Sequence, residues 1–171
     1  MSKILIVGAS GFIGSHLAVA LNRAGHEIVC AIKHFPPPED LSGFACIRVD
    51  YTCDFNVDVW RERVSGIDIV INAVGIIREH GEQTFEALHE WAPKALFSAS
   101  AAANISIVQI SALGADERAS SRYHLSKKAA DDYLLSITAK AIIVQPSLVY
   151  GAGGASAGMF NFMASLPLIP L

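Results

Sequence analysis

Basic residues form no run longer than a pair in this sequence. Only 17% of its 171 residues are charged, the net charge is −3, and no block of lysines and arginines is present that would neutralise a phosphate backbone. A nucleic-acid partner is therefore not expected. Cysteine is sparse too, with Cys30, Cys46 and Cys53 alone. An odd count argues against a disulfide framework, and the spacing fits neither a metal site nor a redox motif. Cys30 and Cys46 stand in apolar runs and read as small core hydrophobes, which suits a reducing cytoplasm. The six histidines lack the His–Glu–x–x–His spacing, so no metal site is expected. No uninterrupted apolar run is long enough to span a bilayer, so no transmembrane segment is expected, and any association with a membrane complex would be peripheral. The opening "MSKILIVGASG" leads straight into a glycine motif rather than a signal-peptide pattern. Internal repeats and low-complexity tracts are absent.

Apolar side chains, by contrast, make up 52% of the chain, enough to fill a sheet buried on both faces. Short Ile/Val-rich runs without polar alternation predict strands at Lys3–Val7, Glu27–Ile32, Ala45–Val49, Asp68–Asn72, Ser106–Ser111 and Ala141–Gln145. Helical patterns fall at Gly11–Arg23, Val57–Val64, Glu82–Ala103 and Ser121–Thr138, with Pro93 predicting a kink or break in the third. The alternation predicts an α/β fold, a Rossmann-type doubly wound parallel β-sheet flanked by helices. Ligands of such sheets bind beyond the carboxyl ends of the strands, which places Gly8, Ile32, Asp50, Asn72, Ser111 and Pro146 around one crevice. The loop "HFPPPEDLSG", residues 34–43, is expected to be an exposed connection. Trp60 and Trp91 read as helix-packing residues.

"ILIVGASGFIGSHL" carries Gly8, Gly11 and Gly14 between a strand and a helix. Residues without Cβ permit the tight turn and a close backbone approach to a pyrophosphate, and the helix N-terminus offers free N–H groups to that anion. Dinucleotide binding is the expected function of this loop, since the triplet sits at the first strand of a long alternation.

The three-residue glycine spacing resembles the short-chain dehydrogenase/reductase superfamily, and "GASGFIGSHL" is close to its extended and atypical branches, the NAD-dependent epimerase/dehydratase type. The resemblance extends over the chain. It implies cofactor contacts from Gly8, Ser10, Gly11, Phe12, Ile13 and Gly14 in the first turn. "VDY" supplies Asp50 and Tyr51 near the adenine, and "INAVG" supplies Asn72, Ala73, Val74 and Gly75. "QPSLVYG" supplies Pro146 beside the nicotinamide. "ISALGAD" followed by "YHLSK" is similar to the atypical subgroup that includes the accessory NAD(P)-binding subunit of respiratory complex I and its bacterial relatives. Where NAD-preferring relatives place an acid after the second strand, this chain has Ile32 and then Lys33, which favours NADP(H), with NAD(H) the alternative.

Tyr123 and Lys127 lie four apart and so share one face of the predicted helix. The pair is also what an ordinary helix surface carries. The glycine loop and "ISALGAD" favour the family reading, in which Tyr123 exchanges a proton with a substrate oxygen. Lys127 there lowers the phenol's pKa and holds the nicotinamide ribose. Ser111 is the candidate third catalytic residue. Aligned on strand ends as in sugar epimerases, however, the active hydroxyl position falls on Ala112. His89 is the nearest match to the asparagine that relatives use to order a relay water. Arg78 and Glu79 read as a solvated loop pair, and His16 as a packing or solvent residue.

The resemblance implies residues 1–150 as the NAD(P)-binding domain and residues 151–171 as the start of a truncated C-terminal substrate-binding region. The expected function is an NAD(P)-dependent oxidoreductase acting on an unknown small molecule. The alternatives are a nucleotide-sugar epimerase or dehydratase, and a dinucleotide-binding module without catalysis.

Overall fold

Six short apolar runs become six parallel strands: β1 Lys3–Val7, β2 Glu27–Ile32, β3 Ala45–Arg48, β4 Ile69–Asn72, β5 Ser106–Ile110 and β6 Ala141–Val144. Between them run α1 Phe12–Arg23, α2 Val57–Arg63, α3 Ala92–Ala102 and α4 Arg122–Ile137. This computed structural model describes residues 1–151 and Gly154. The strand order β3-β2-β1-β4-β5-β6 starts in the middle of the sheet and reverses direction at β1 and β4. The loops leaving those two strands diverge, and that divergence opens the crevice.

Successive residues of a strand point to opposite faces. Ile4 and Ile6 of β1 join Ala18 of α1, Ile28, Cys30 and Leu41 in one core. Leu5 and Val7 face the other way, into a larger core with Trp60 of α2, Leu96 and Phe97 of α3 and Leu134 of α4. Both faces are apolar, so no polar alternation could survive in the strands. Leu96 and Phe97 are fully buried, each worth about 1.5–3 kcal/mol relative to exposure. Burial also pushes the Cys30 thiol up to about 12, leaving it a core hydrophobe without thiolate chemistry.

The expected third helix is divided. Pro93 has no N–H for the carbonyl of His89, and its ring crowds that carbonyl. The chain answers with a π-helical segment, Glu86–Trp91, before α3 begins. In an unbroken α-helix Trp91 would share the buried face of Leu88 and Ala95. The wide turn rotates it outward instead, 53% exposed, with the ring of Phe55 in edge contact at 5.5 Å. Trp60 packs inside as expected; Trp91 does not.

The same segment turns His89 inward. Its Nε2 accepts from the Ile76 N–H (3.0 Å), so Nδ1 carries the proton and donates to Ser126 Oγ (2.9 Å). That hydroxyl donates in turn to the Tyr123 carbonyl (2.8 Å). One imidazole thus ties the loop after β4 to α4. Burial, then the Lys127 charge, pushes His89 from 6.5 down to about 3, so it stays neutral.

Two outcomes follow for stability. Unfolded His89 binds a proton below about pH 6.5 while the folded residue does not. Stability therefore falls as pH drops from about 6.5 toward 3, with a slope approaching about 1.4 kcal/mol per pH unit from this residue. Urea midpoints at pH 7, 6 and 5 should show that slope, and His89→Gln should flatten it; an unchanged slope refutes the assignment. Separately, a Cβ on Gly14 would lie 2.2 Å from the Gly8 carbonyl oxygen, whereas one on Gly43 meets nothing within 4 Å. Gly14→Ala should cost about 1–3 kcal/mol and Gly43→Ala almost nothing, as read from thermal midpoints.

Candidate functional site

The first turn is built by close approach. Gly8 has φ +82, and its N–H donates to the Ala31 carbonyl at the end of β2 (3.2 Å). A Cβ there would lie 3.0 Å from the Ala73 carbonyl carbon and the Val74 nitrogen, so the turns after β1 and β4 touch through this glycine. Gly11 caps α1 with extended backbone, no side chain accepts from the first-turn amides, and that turn has no acidic residue. Its N–H groups and the positive end of the helix dipole therefore face the crevice without an internal anion. A pyrophosphate fits the cradle.

Beside it lies a cleft of about 160 Å³, lined among others by Gly8, Ser10, Lys33, Asp50, Tyr51 and Val74. Six expected cofactor residues thus converge. The Lys33 ammonium pairs with Asp50 Oδ1 at 3.1 Å. Burial raises the Asp50 carboxyl, but hydrogen bonds from the Thr52 hydroxyl and N–H and the Lys33 ammonium outweigh it and hold the group below its usual range.

Other expected contacts face inward. The buried Tyr51 hydroxyl donates to Asn72 Oδ1 (2.9 Å), and Asn72 Nδ2 donates to Gln109 Oε1 (2.7 Å). The Val74 N–H also donates to Asn72 Oδ1 (3.3 Å). These side chains bind β3, β4 and β5 ends together, so Asn72 is buried with both acceptor positions of Oδ1 taken, and Tyr51 contributes wall. Burial pushes the Tyr51 phenol well above 10. Phe12 packs against Gly151 and Gly154, Ile13 is half-buried on α1, and the Pro146 carbonyl accepts from Leu113 N–H (3.0 Å). His16 is exposed and donates from Nδ1 to the Phe12 carbonyl (2.8 Å).

Across the crevice Ser121 caps α4 and so aligns the next helical turns. Lys127 is 3% exposed, and its ammonium donates to the carbonyls of Val74 (3.0 Å) and Ile110 (3.2 Å) at the ends of β4 and β5. Gly75 makes room for it, since a Cβ would lie 2.9 Å from Nζ. Burial pulls Lys127 down to about 8, against the opposing charge of Asp131. Tyr123 stands on the same side of the helix, in edge contact with Phe85, His89 and His124. Its phenol is raised by burial, with no lowering by Lys127, because the ammonium is drawn onto carbonyls instead.

Ser111 lies elsewhere. Its hydroxyl donates to Asp131 Oδ2 of α4 at 2.5 Å, with the side chain buried. The hydroxyl is committed beneath the helix rather than presented to the crevice, and buried Ala112 follows it. Glu79 joins not Arg78 but Arg122 at the start of α4 (2.8 Å), which also reaches Glu86 (3.0 Å). Charge complementarity within the helix start and the loop, not adjacency in sequence, selects that partner. Sequence reasoning missed the Arg122 cluster and Asp131, although Asp131 stands one helical turn after Lys127. Among the described residues no group of His, Cys, Asp or Glu could hold a metal, and no helix is long and apolar enough to cross a membrane.

The chain is 28% identical over 170 residues to the ceramide reductase of Caulobacter vibrioides, covering 98% of this chain and 53% of that one. It is 27% identical over 154 residues to NADH dehydrogenase [ubiquinone] 1 alpha subcomplex subunit 9 of Mus musculus, covering 85% and 40%. It thus spans about half the length of these curated relatives. In fold it is similar to the Bordetella bronchiseptica enzyme WbmH in complex with NAD+ (TM-score 0.78, 16% identity, 96% of this chain and 62% of that one). It is also similar to the UDP-N-acetylglucosamine 4-epimerase of Bacillus cereus (TM-score 0.75, 18% identity, 96% and 62%). Residues 4–166 match the family directly: this chain belongs to the NAD dependent epimerase/dehydratase family.

Proposed function

We propose that this chain is the cofactor-binding part of an NAD(P)-dependent oxidoreductase. The observation that carries the reading is the cradle: a glycine turn too tight for a Cβ at Gly14, opening onto uncapped amides of α1 beside the Lys33–Asp50 cleft. The cofactor supplies hydride exchange when bound. Gly8, Ser10, Gly11 and Gly14 hold the pyrophosphate, and Asp50 turns to the adenine. Lys127 would donate a hydrogen bond from its ammonium to the nicotinamide-side ribose, and Tyr123 would move a proton to or from the substrate oxygen. The ceramide reductase relative supports reduction over epimerisation. Residues 1–150 form the cofactor domain, and residues 151–171 open a substrate-binding region. That last segment, apart from Gly151 and Gly154, lies outside the described residues. Cys30 and Cys46 face each other in register as free thiols, which supports a cytoplasmic setting.

For the finer choice we favour NADP(H). No acid stands at Ile32, and Lys33 can leave Asp50 for a 2′-phosphate while Asp50 serves the adenine. Fluorescence titrations with NADPH and NADH should show the tighter fit for NADPH, with Lys33→Ala erasing the difference. Tighter NADH binding overturns the NADP choice and leaves dinucleotide binding intact. Gly11→Asp should cap α1 with its own carboxylate and weaken both cofactors by roughly a hundredfold or more. Unchanged binding by that variant means the cradle is misplaced. In the full-length protein Tyr123→Phe should lower turnover by about a hundred- to ten-thousandfold with cofactor affinity little changed. An equal rate removes Tyr123 as the proton donor, and absence of turnover in the parent leaves a binding module without catalysis.

A further inference from the structure

Lys127 is buried and sits on backbone carbonyls, which hold an ammonium in place but supply no full negative charge. The negative charge that acts on it is Asp131, on its own helix one turn on and on the same buried face, 4% exposed. Ser111 donates to Asp131 Oδ2, which fixes the carboxylate, while Oδ1 has no hydrogen-bond partner. The Gln109 and Gln145 amides lie toward this carboxylate, but neither makes a sound hydrogen bond to it; the Gln145 amide instead donates to the Ala115 carbonyl. A buried carboxylate with one oxygen unmatched is costly unless an opposite charge answers it. Lys127 is that charge.

We infer that Asp131 is a positioning residue for Lys127: held by Ser111, its carboxylate keeps the buried ammonium protonated and seated at the turn after β4. This rests on the reading of Lys127 as a cofactor-binding residue. The groups facing Lys127 are Asp131 and Tyr123 from α4, neutral His89 from the π-helical segment, and the carbonyls of Val74 and Ile110 from the strand ends. Lys128 and Asp132 pair with each other on the outer side of the helix. Without Asp131, burial acts on the ammonium alone, and a lysine so placed gives up its proton near or below neutral pH. Ser111, read from the sequence as a catalytic candidate, has its place in this arrangement as the donor that holds Asp131.

The sign of the pH effect follows. Lys127 binds a ribose hydroxyl as a charged donor, so dinucleotide affinity should weaken as pH rises through about 8. Asp131→Asn keeps the shape and an acceptor for Ser111 but removes the charge. The midpoint of that loss should move down by about one pH unit, with affinity near pH 6 changed less than threefold. Asp131→Glu, which restores the charge, should return the midpoint toward that of the parent. NADPH titrations from pH 6 to 9.5 on the three proteins read this, and circular dichroism checks folding. A parent that binds no dinucleotide at any pH sinks the cofactor reading itself. A parent that binds, with the same midpoint in Asp131→Asn, sinks only the role of Asp131. If Asp131→Asn does not fold, the parent decides by NMR. The Asp131 side-chain carbonyl resonance should show a second inflection at the pH where the Lys127 side chain titrates, and a flat trace through that pH overturns the coupling.

Discussion

The place where a Gly14 side chain would begin is occupied by the Gly8 carbonyl. That contact brings the start of α1 down onto the end of β1, and the rest of the crevice depends on it. With α1 so close, its uncapped amides stand at the reversal point of the sheet. Gly8, at positive φ, then lets the turn after β4 approach within van der Waals distance. A methyl group at either position would separate two backbones that must nearly touch. The cradle is therefore a packing consequence before it is a binding site.

A second constraint holds the opposite wall. The hydroxyl of Tyr51 and the amides of Asn72 and Gln109 form a buried chain across the ends of three strands. Alone, each would be an expensive polar group in an apolar core; in series they satisfy one another and lock the strand ends in register. The turn from Ala73 to Gly75 is held by that chain from below, through Val74, and by His89 from the side, through Ile76. The Lys127 ammonium bonds the Val74 carbonyl of the same turn. Three independent attachments on so short a segment explain how irregular backbone can present a fixed surface to a ligand.

Within α4 the electrostatics divide by face. Outward residues such as Lys128 and Asp132 pair in water, where such a pair is worth little. Inward residues Lys127 and Asp131 are desolvated, so each depends on the other's charge. Tyr123 stays protonated while Lys127 lies on its carbonyls. A ligand that draws the ammonium toward the crevice would also bring it within reach of the phenol.

Strand and helix positions were legible in the sequence because Ile/Val runs and glycine punctuation are local signals, and a two-sided core leaves few alternatives. The glycine cradle, the convergence of Lys33 with Asp50, and the shared face of Tyr123 and Lys127 follow from topology and helical spacing, so they too could be read. What the sequence determined was therefore the alternation of elements and the residues delivered to the carboxyl edge. Which way each side chain turned there was decided only by tertiary structure. Asn72 and Ser111 sit at strand ends just as a ligand contact would. Whether each faces the crevice or the core depends on partners 37 and 20 residues away, Gln109 and Asp131. Trp91 turned out because Pro93 forced a wide turn whose rotation no apolar periodicity records. The polar partnerships that set pKa values and orient side chains are long-range, and residue spacing along the chain does not encode them.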